Sequence, residues 1–338
     1  MTKYQHEGSG VTKMILTRSP LRISIAGGGT DLPGYYEKFG SYFISAAITK
    51  FVYVAVHTPF EPRYILKYSK NETCDKLNEI NHPIIREVLR SFPSSFPFVE
   101  MASMADIPSG TGLGSSGSFG SALILALAEL RNLKITKDEI ASMACDIEIN
   151  KLGESVGKQD QYSATFGGLT EYQIGKNGEV VVEPLRLDES FLELFQSSLL
   201  LFYTGKSRSA SKILMREDLK LRENDREIQN NLHEVQEIAY KIKESLHQKN
   251  LEDFGRTMHE HWLKKMARNP LVTYPEINNA YEKALAAGAF GGKIVGAGGG
   301  GFLLIVSDQP GRVRQAMKES GFEEVEFRFD YEGTTRIL

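Results

Sequence analysis

The stretch Pro108-Ser109-Gly110-Thr111-Gly112-Leu113-Gly114-Ser115-Ser116-Gly117-Ser118 stands directly before an apolar run, Phe119, Ala122, Leu123, Ala126, Leu127 and Leu130, whose spacing is helical. A strong helix entered through alternating glycines constrains a fold sharply. Glycine reaches φ > 0 without steric cost and lets a ligand approach the backbone. The first turn of the helix leaves N–H groups without intrahelical partners, at the positive end of the dipole. Two readings follow: a helix reached through a flexible small-residue loop, or a phosphate cradle. Because the helix is buried on one face, it would hold such a cradle rigidly, which favours the anion site.

At 338 residues and 41% hydrophobic, the chain is longer than one hydrophobic core usually serves, so two domains are expected. Composition shifts near residue 187 to long, highly charged helices, which divides the chain into 1–187 and 188–338. A net charge of −3 points away from nucleic acid and from membrane surfaces as partners. Cys74 and Cys145 lack metal-ligand spacing and are too few for a disulfide scaffold, so a reducing cytoplasm is the expected setting. No segment reaches the roughly 18 apolar residues of a membrane span, and Met1–Lys13 lacks the apolar core of a signal peptide.

Met14–Ala26 reads as a strand interrupted at Ser19-Pro20, feeding the turn Gly27-Gly28-Gly29-Thr30-Asp31. A dinucleotide fingerprint is excluded there: counted from Gly27, the third glycine position is Leu32. Arg18, Arg22, Thr30 and Asp31 are the polar equipment of this turn. Residues 42–57 and 63–69 predict a hairpin, residues 75–92 a helix, and residues 96–102 a short strand. Thr136-Lys-Asp-Glu139 is a capping box opening a helix that ends at Gly153. On it Glu148 adjoins the apolar stripe, either as a boundary residue or as a carboxylate aimed into a site. Asp160 is a lone acid among small residues in Gly157–Gly168. Strands are predicted at 168–174 and 180–187, and helices at 208–222, 225–248, 251–267 and 275–287. His259 and His261, two apart on one helix, do not share a face for zinc. Gly291–Gly301 is too rich in glycine for an ordinary helix–strand connection, and the buried strand Phe302–Ser307 follows it.

Three glycine-rich stretches thus stand in one order: RSPLRISIAGGGTDLPG (18–34), PSGTGLGSSGSFGSA (108–122) and GGKIVGAGGGGF (291–302). In this the chain resembles the small-molecule kinases named for galactokinase, homoserine kinase, mevalonate kinase and phosphomevalonate kinase, the GHMP family, over residues 14–305. The first motif and MHEHWLKKM (258–266) are similar to the branch acting on sugar phosphates. The galactokinases differ: they carry Glu-His before the acid, where this chain has Gly-Gly-Thr before Asp31. Other ATP signatures are missing; Leu200 stands where a P-loop ending at Gly205-Lys206-Ser207 would need glycine.

The resemblance implies an α+β fold of two domains, the first like domain 2 of ribosomal protein S5, the second ferredoxin-like, with the active site between them. It implies ATP held by Gly110, Thr111, Gly112, Leu113, Gly114, Ser115 and Ser116, and Mg²⁺ held by Ser116 and Glu148. Asp160 would accept the proton of the attacking hydroxyl, and Arg22 would offset charge on the transferred group. Arg18, Thr30, Asp31, Arg208, Gly298 and Gly299 would meet the substrate. Lys206, Arg208, Lys264 and Lys265 are the candidates for a distant substrate phosphate. The expected partner is a small sugar phosphate, D-glycero-α-D-manno-heptose 7-phosphate above others, phosphorylated at its anomeric hydroxyl by a monomer or homodimer. A kinase for another sugar and a non-catalytic sugar and ATP sensor are the alternatives.

Overall fold

The computed structural model describes residues 14–93, 98–205 and 210–338. Its first sheet has eight strands. The long strand Ser41–His57 lies near its middle, paired antiparallel with Ile15–Ala26, with Glu100–Ala105 and, at its other end, with Leu169–Ile174. Ile15–Ala26 is continuous through Ser19-Pro20. The register slips between Pro20 and Leu21, and such a bulge lets a residue without an N–H sit inside a sheet.

The expected hairpin of 42–57 with 63–69 does not form. Tyr64–Lys67 pairs instead with Asn71–Cys74 and runs parallel to Glu100–Ala105. Pro59 and Pro62 send the chain past the neighbouring position, and a parallel partner takes the edge. The strand expected at 96–102 begins at Glu100, and part of that range lies outside the described residues. The helix expected over 75–92 is confined to Pro83–Ser91, because Pro83 fits the first turn and no earlier one. Leu169–Ile174 and Val180–Pro184 pair as expected.

The second sheet has four antiparallel strands: Leu199–Tyr203, Gly291–Ile294, Phe302–Val306 and Glu323–Glu324. Numbered in sequence they lie in the order 4-1-3-2, the ferredoxin-like arrangement. Its first crossover is enlarged by four helices, Ala210–Arg222, Arg226–His247, Leu251–Arg268 and Pro275–Ala286. One apolar cluster joins the sheets: Leu21, Ile23 and Ile25 pack with Leu201, Leu304 and Val306, and with Ile238 and Ile242 of the longest helix. A second lies under the helix Ser115–Leu130. Beyond the second sheet the chain returns to the first, where Thr335 and Arg336 pair with Arg18 and Thr17.

Candidate active site

Gly110, Gly112 and Gly114 have φ of 78°, 84° and 78°, so each backbone turn needs glycine. Gly114 is the N-cap of Ser115–Leu130 and no side chain caps this helix, leaving its first turn to a ligand. The loop is nonetheless rigid. The Arg22 N–H donates to Leu113 O at 2.9 Å, Thr111 Oγ1 to Pro108 O at 3.0 Å, and Ser118 Oγ to Pro20 O at 2.7 Å. Leu113 is buried and anchors the loop.

The third glycine stretch presses on this loop. A Cβ at Gly112 would lie 2.7 Å from Val295 O, and one at Gly296 would overlap the Gly112 backbone. One at Gly301 would overlap Thr111. At Gly296 and Gly301, glycine is therefore required by backbone packed on backbone.

Asp160 stands in the first turn of the short helix Gln159–Phe166, not in the irregular loop its neighbours suggest. Its Oδ1 receives Arg22 Nη2 at 2.6 Å, and Arg22 Nη1 donates to Gly112 O at 2.6 Å. The guanidinium thus links the acid to the cradle through two of its fixed, forked donors. Gly117 makes room: its Cβ would come 2.9 Å from that of Asp160.

Glu148 lies on a π-helical turn, Asp146–Lys151, that continues the helix Lys137–Cys145. The wider turn re-aims its side chain inward, a frequent device at functional sites. The carboxylate is buried and accepts from Gln161 Nε2 at 2.8 Å. Burial, with the charge of Asp160 adding to it, pushes its pKa up to about 7 despite hydrogen bonds from Gln161 and Ser116. Asp31 is also buried. It accepts the Gly29 N–H at 3.0 Å and the Gln159 N–H at 3.1 Å, so it ties its own turn to the Asp160 helix. Burial is again the main cause of its raised pKa.

Arg22, Asp31, Gly112, Ser116, Asp160 and Gly296 line one cleft of about 140 Å³, and Glu148, bonded to Ser116, lies behind its wall. Several expected substrate residues lie elsewhere. Thr30 is fully buried, held by Gly27 O at 2.8 Å and Ser41 Oγ at 2.7 Å, and serves the turn itself. Arg18 pairs with Glu332 at 2.6 Å and stacks over Phe51, outside the cleft. A regular strand would put residues four apart, such as Arg18 and Arg22, on one face; the bulge between Pro20 and Leu21 separates them. Gly298 packs on Val272, and the Gly299 N–H donates to Val272 O at 2.8 Å, so both serve loop packing. Arg208 and Lys206 fall outside the described residues. Lys264 pairs with Glu234 on the surface, whereas Lys265 is buried and lines the cleft.

Lys293, Arg268, His261 and Glu217 also line it, and sequence reasoning missed all four as site residues. A buried lysine in the strand Gly291–Ile294, where apolar residues are the rule, was the available signal.

An uncapped helix N-terminus beside an Arg–Asp pair, with a buried carboxylate bonded to Ser116, has the chemistry that phosphoryl transfer asks for. The family model of the GHMP kinases N terminal domain matches residues 80–168, and that of the GHMP kinases C terminal domain matches residues 242–322. A D-glycero-alpha-D-manno-heptose 7-phosphate kinase of Campylobacter jejuni is 30% identical over 95% of this chain and 98% of its own length. An L-fucokinase/L-fucose-1-P guanylyltransferase of Bacteroides fragilis is 26% identical over 91% of this chain but 36% of its own. A crystal structure of a D-glycero-D-manno-heptose 1-phosphate kinase from Bacteroides thetaiotaomicron superposes with a TM-score of 0.79 at 23% identity, covering 96% and 99% of the two chains. The protein belongs to the GHMP kinase family and is a phosphotransferase of that type. No helix among the described residues is long and apolar enough to cross a membrane.

Proposed function

We propose that the enzyme transfers the γ-phosphoryl group of ATP to the anomeric hydroxyl of D-glycero-α-D-manno-heptose 7-phosphate. The product is the 1,7-bisphosphate, a precursor of nucleotide-activated heptose for surface polysaccharide. The reading is carried by the 2.6 Å Arg22–Asp160 pair set between the Gly110–Ser116 cradle and the Asp31 turn. The Campylobacter jejuni relative supports the choice of acceptor. The two free cysteines fit a reducing cytoplasm.

Phosphoryl transfer asks mainly for positioning and charge neutralisation. Backbone N–H groups of 110–116 and the helix dipole hold the nucleotide phosphates. Asp160 accepts the proton of the attacking hydroxyl, and Arg22 lies beside the position where negative charge moves. The Asp31 carboxylate faces acceptor hydroxyls while bracing its own turn against the Asp160 helix.

The donor set fits Mg²⁺. Glu148 is a buried carboxylate with no cationic partner among the described residues, and Ser116 bonds to it. Mg²⁺ takes hard oxygen ligands and keeps several of them from phosphate and water, so one carboxylate and one hydroxyl from the protein are enough. When bound, the ion would neutralise charge on the phosphate oxygens.

Activity and stability should move in opposite directions in Glu148→Gln. The buried charge is costly without the ion, so the metal-free variant melts higher than the metal-free wild type. Its kcat falls by about 100-fold, and it needs more Mg²⁺, because an oxygen ligand is lost. Thermal melts and Mg²⁺ titration of the rate check both, and an unchanged Mg²⁺ requirement would remove Glu148 as a ligand. Coupled ADP release across heptose 7-phosphate, fucose, galactose and mevalonate tests the acceptor. Turnover of heptose 7-phosphate above the rest is expected, and no turnover of any sugar phosphate overturns the assignment.

A further inference from the structure

The cleft carries more positive charge than the transfer step uses. Arg22 is paired with Asp160, and Arg268 donates Nε to Glu217 at 3.0 Å and Nη1 to Asn231 at 3.0 Å. Lys265 and Lys293 have no ion pair among the described residues, although both are at least 90% buried. Their donors go to neutral acceptors. Lys293 Nζ donates to Ile25 O at 2.9 Å and to His261 Nδ1 at 3.2 Å, and Lys265 Nζ to Ile294 O at 3.0 Å and to Gly296 O. Burying two ammonium groups side by side is costly when the nearby anion, Glu217, is already paired with Arg268. Burial, then the neighbouring cations, pulls Lys293 and His261 well below their usual ranges, and burial with Arg268 pulls Lys265 to about 7. A chain keeps such a cluster where an anionic ligand completes it.

The position of the cluster says which anion. Lys293 is bonded to Ile25, next to the Gly27–Asp31 turn, and Arg268 Nη2 would be 3.2 Å from a Cβ on Gly29 in that turn. Lys293 and Arg268 therefore border the Asp31 side of the cleft, while Lys265 donates to Gly296 O, on the loop that packs against Gly112.

We propose that Lys293, Arg268 and Lys265 bind the non-reacting phosphate of the acceptor, and so make the enzyme select a phosphorylated sugar over the free sugar. This rests on the sugar-phosphate reading given above. Lys293→Met keeps the side-chain volume and removes the charge. The specificity ratio, kcat/KM for D-glycero-D-manno-heptose 7-phosphate over that for D-glycero-D-manno-heptose, should fall by about 10- to 100-fold in this variant. The KM for the 7-phosphate should rise more than the KM for ATP. An unchanged ratio, or a rise confined to the KM for ATP, overturns the proposal.

Inorganic phosphate, added with ADP occupying the nucleotide side, probes the cluster without any sugar. It should raise the Tm of the wild type and leave that of Lys293→Met unmoved; equal stabilisation of both overturns the anion site. If the wild type does not use heptose 7-phosphate, the acceptor assignment fails, and the phosphate melts judge the cluster by themselves.

Discussion

Asp160→Asn should abolish turnover and leave ATP binding intact. Asparagine has the same shape and retains an oxygen for the Arg22 guanidinium, now at 2.6 Å from the carboxylate. The amide cannot take a proton from a hydroxyl, so kcat should fall by about 10²–10⁴-fold, the usual share of a general base. The nucleotide is to be held by the backbone of 110–116, which the change does not touch, so calorimetric ATP affinity should stay within about twofold. Packing is also spared, since the Asp160 side chain is partly open to the cleft and the residues beside it, Gly114 and Gly117, carry no side chain. Full turnover in this variant would remove Asp160 as the base.

Gly296→Ala should damage the enzyme from the opposite wall of the cleft. Gly296 has φ of 73°, where an L side chain costs roughly 1 kcal/mol. The added methyl would also sit 2.7 Å from Gly112 Cα and 2.9 Å from its carbonyl carbon. Backbone on both sides leaves no side chain to swing away, so one loop must move by several tenths of an ångström or more. That displaces the cradle from Arg22, whose Nη1 bond to Gly112 O sets their spacing at 2.6 Å. A misplacement of about 1 Å costs on the order of 100-fold in rate. Stability should fall by about 1–3 kcal/mol as in other overpacked sites. Initial rates and a urea titration measure the two effects. A variant with wild-type kcat would show that the two loops need no contact for catalysis. Gly311, where an added Cβ would meet nothing within 4 Å, is the control expected to tolerate alanine.

The cradle, the Asp31 turn and the third glycine stretch were legible because local backbone demands wrote them: positive φ and close approach leave glycine as the residue of choice. Helices such as Arg226–His247 and Leu251–Arg268 were legible through their apolar stripes. The partner of Tyr64–Lys67 was not, because a four-residue strand says nothing about which edge it joins. Within the first motif, sequence could not separate Asp31, which lines the cleft, from Thr30 beside it, which is turned into the core. Nor could it assemble the cations. Arg268 ends a helix and Lys293 lies within a short strand, and only the packing of that helix on the second sheet brings them together. Lys264 and Lys265 are neighbours in sequence, yet one meets solvent and the other the cleft, because consecutive helical positions face about 100° apart.

The return of the chain to its first sheet has a consequence for synthesis. Thr17 and Arg18 find their partners in Arg336 and Thr335, and Ile48 finds Phe329, more than 270 positions later. At ordinary elongation rates of about 5–20 residues per second, the edge of Ile15–Ala26 waits roughly 15–65 s before the segment that covers it exists. During that interval a hydrogen-bonding strand edge stands open on the nascent protein, the kind of surface on which unfinished chains pair wrongly. The bulge at Pro20, whose ring supplies no N–H to a passing strand, blunts that edge at its middle.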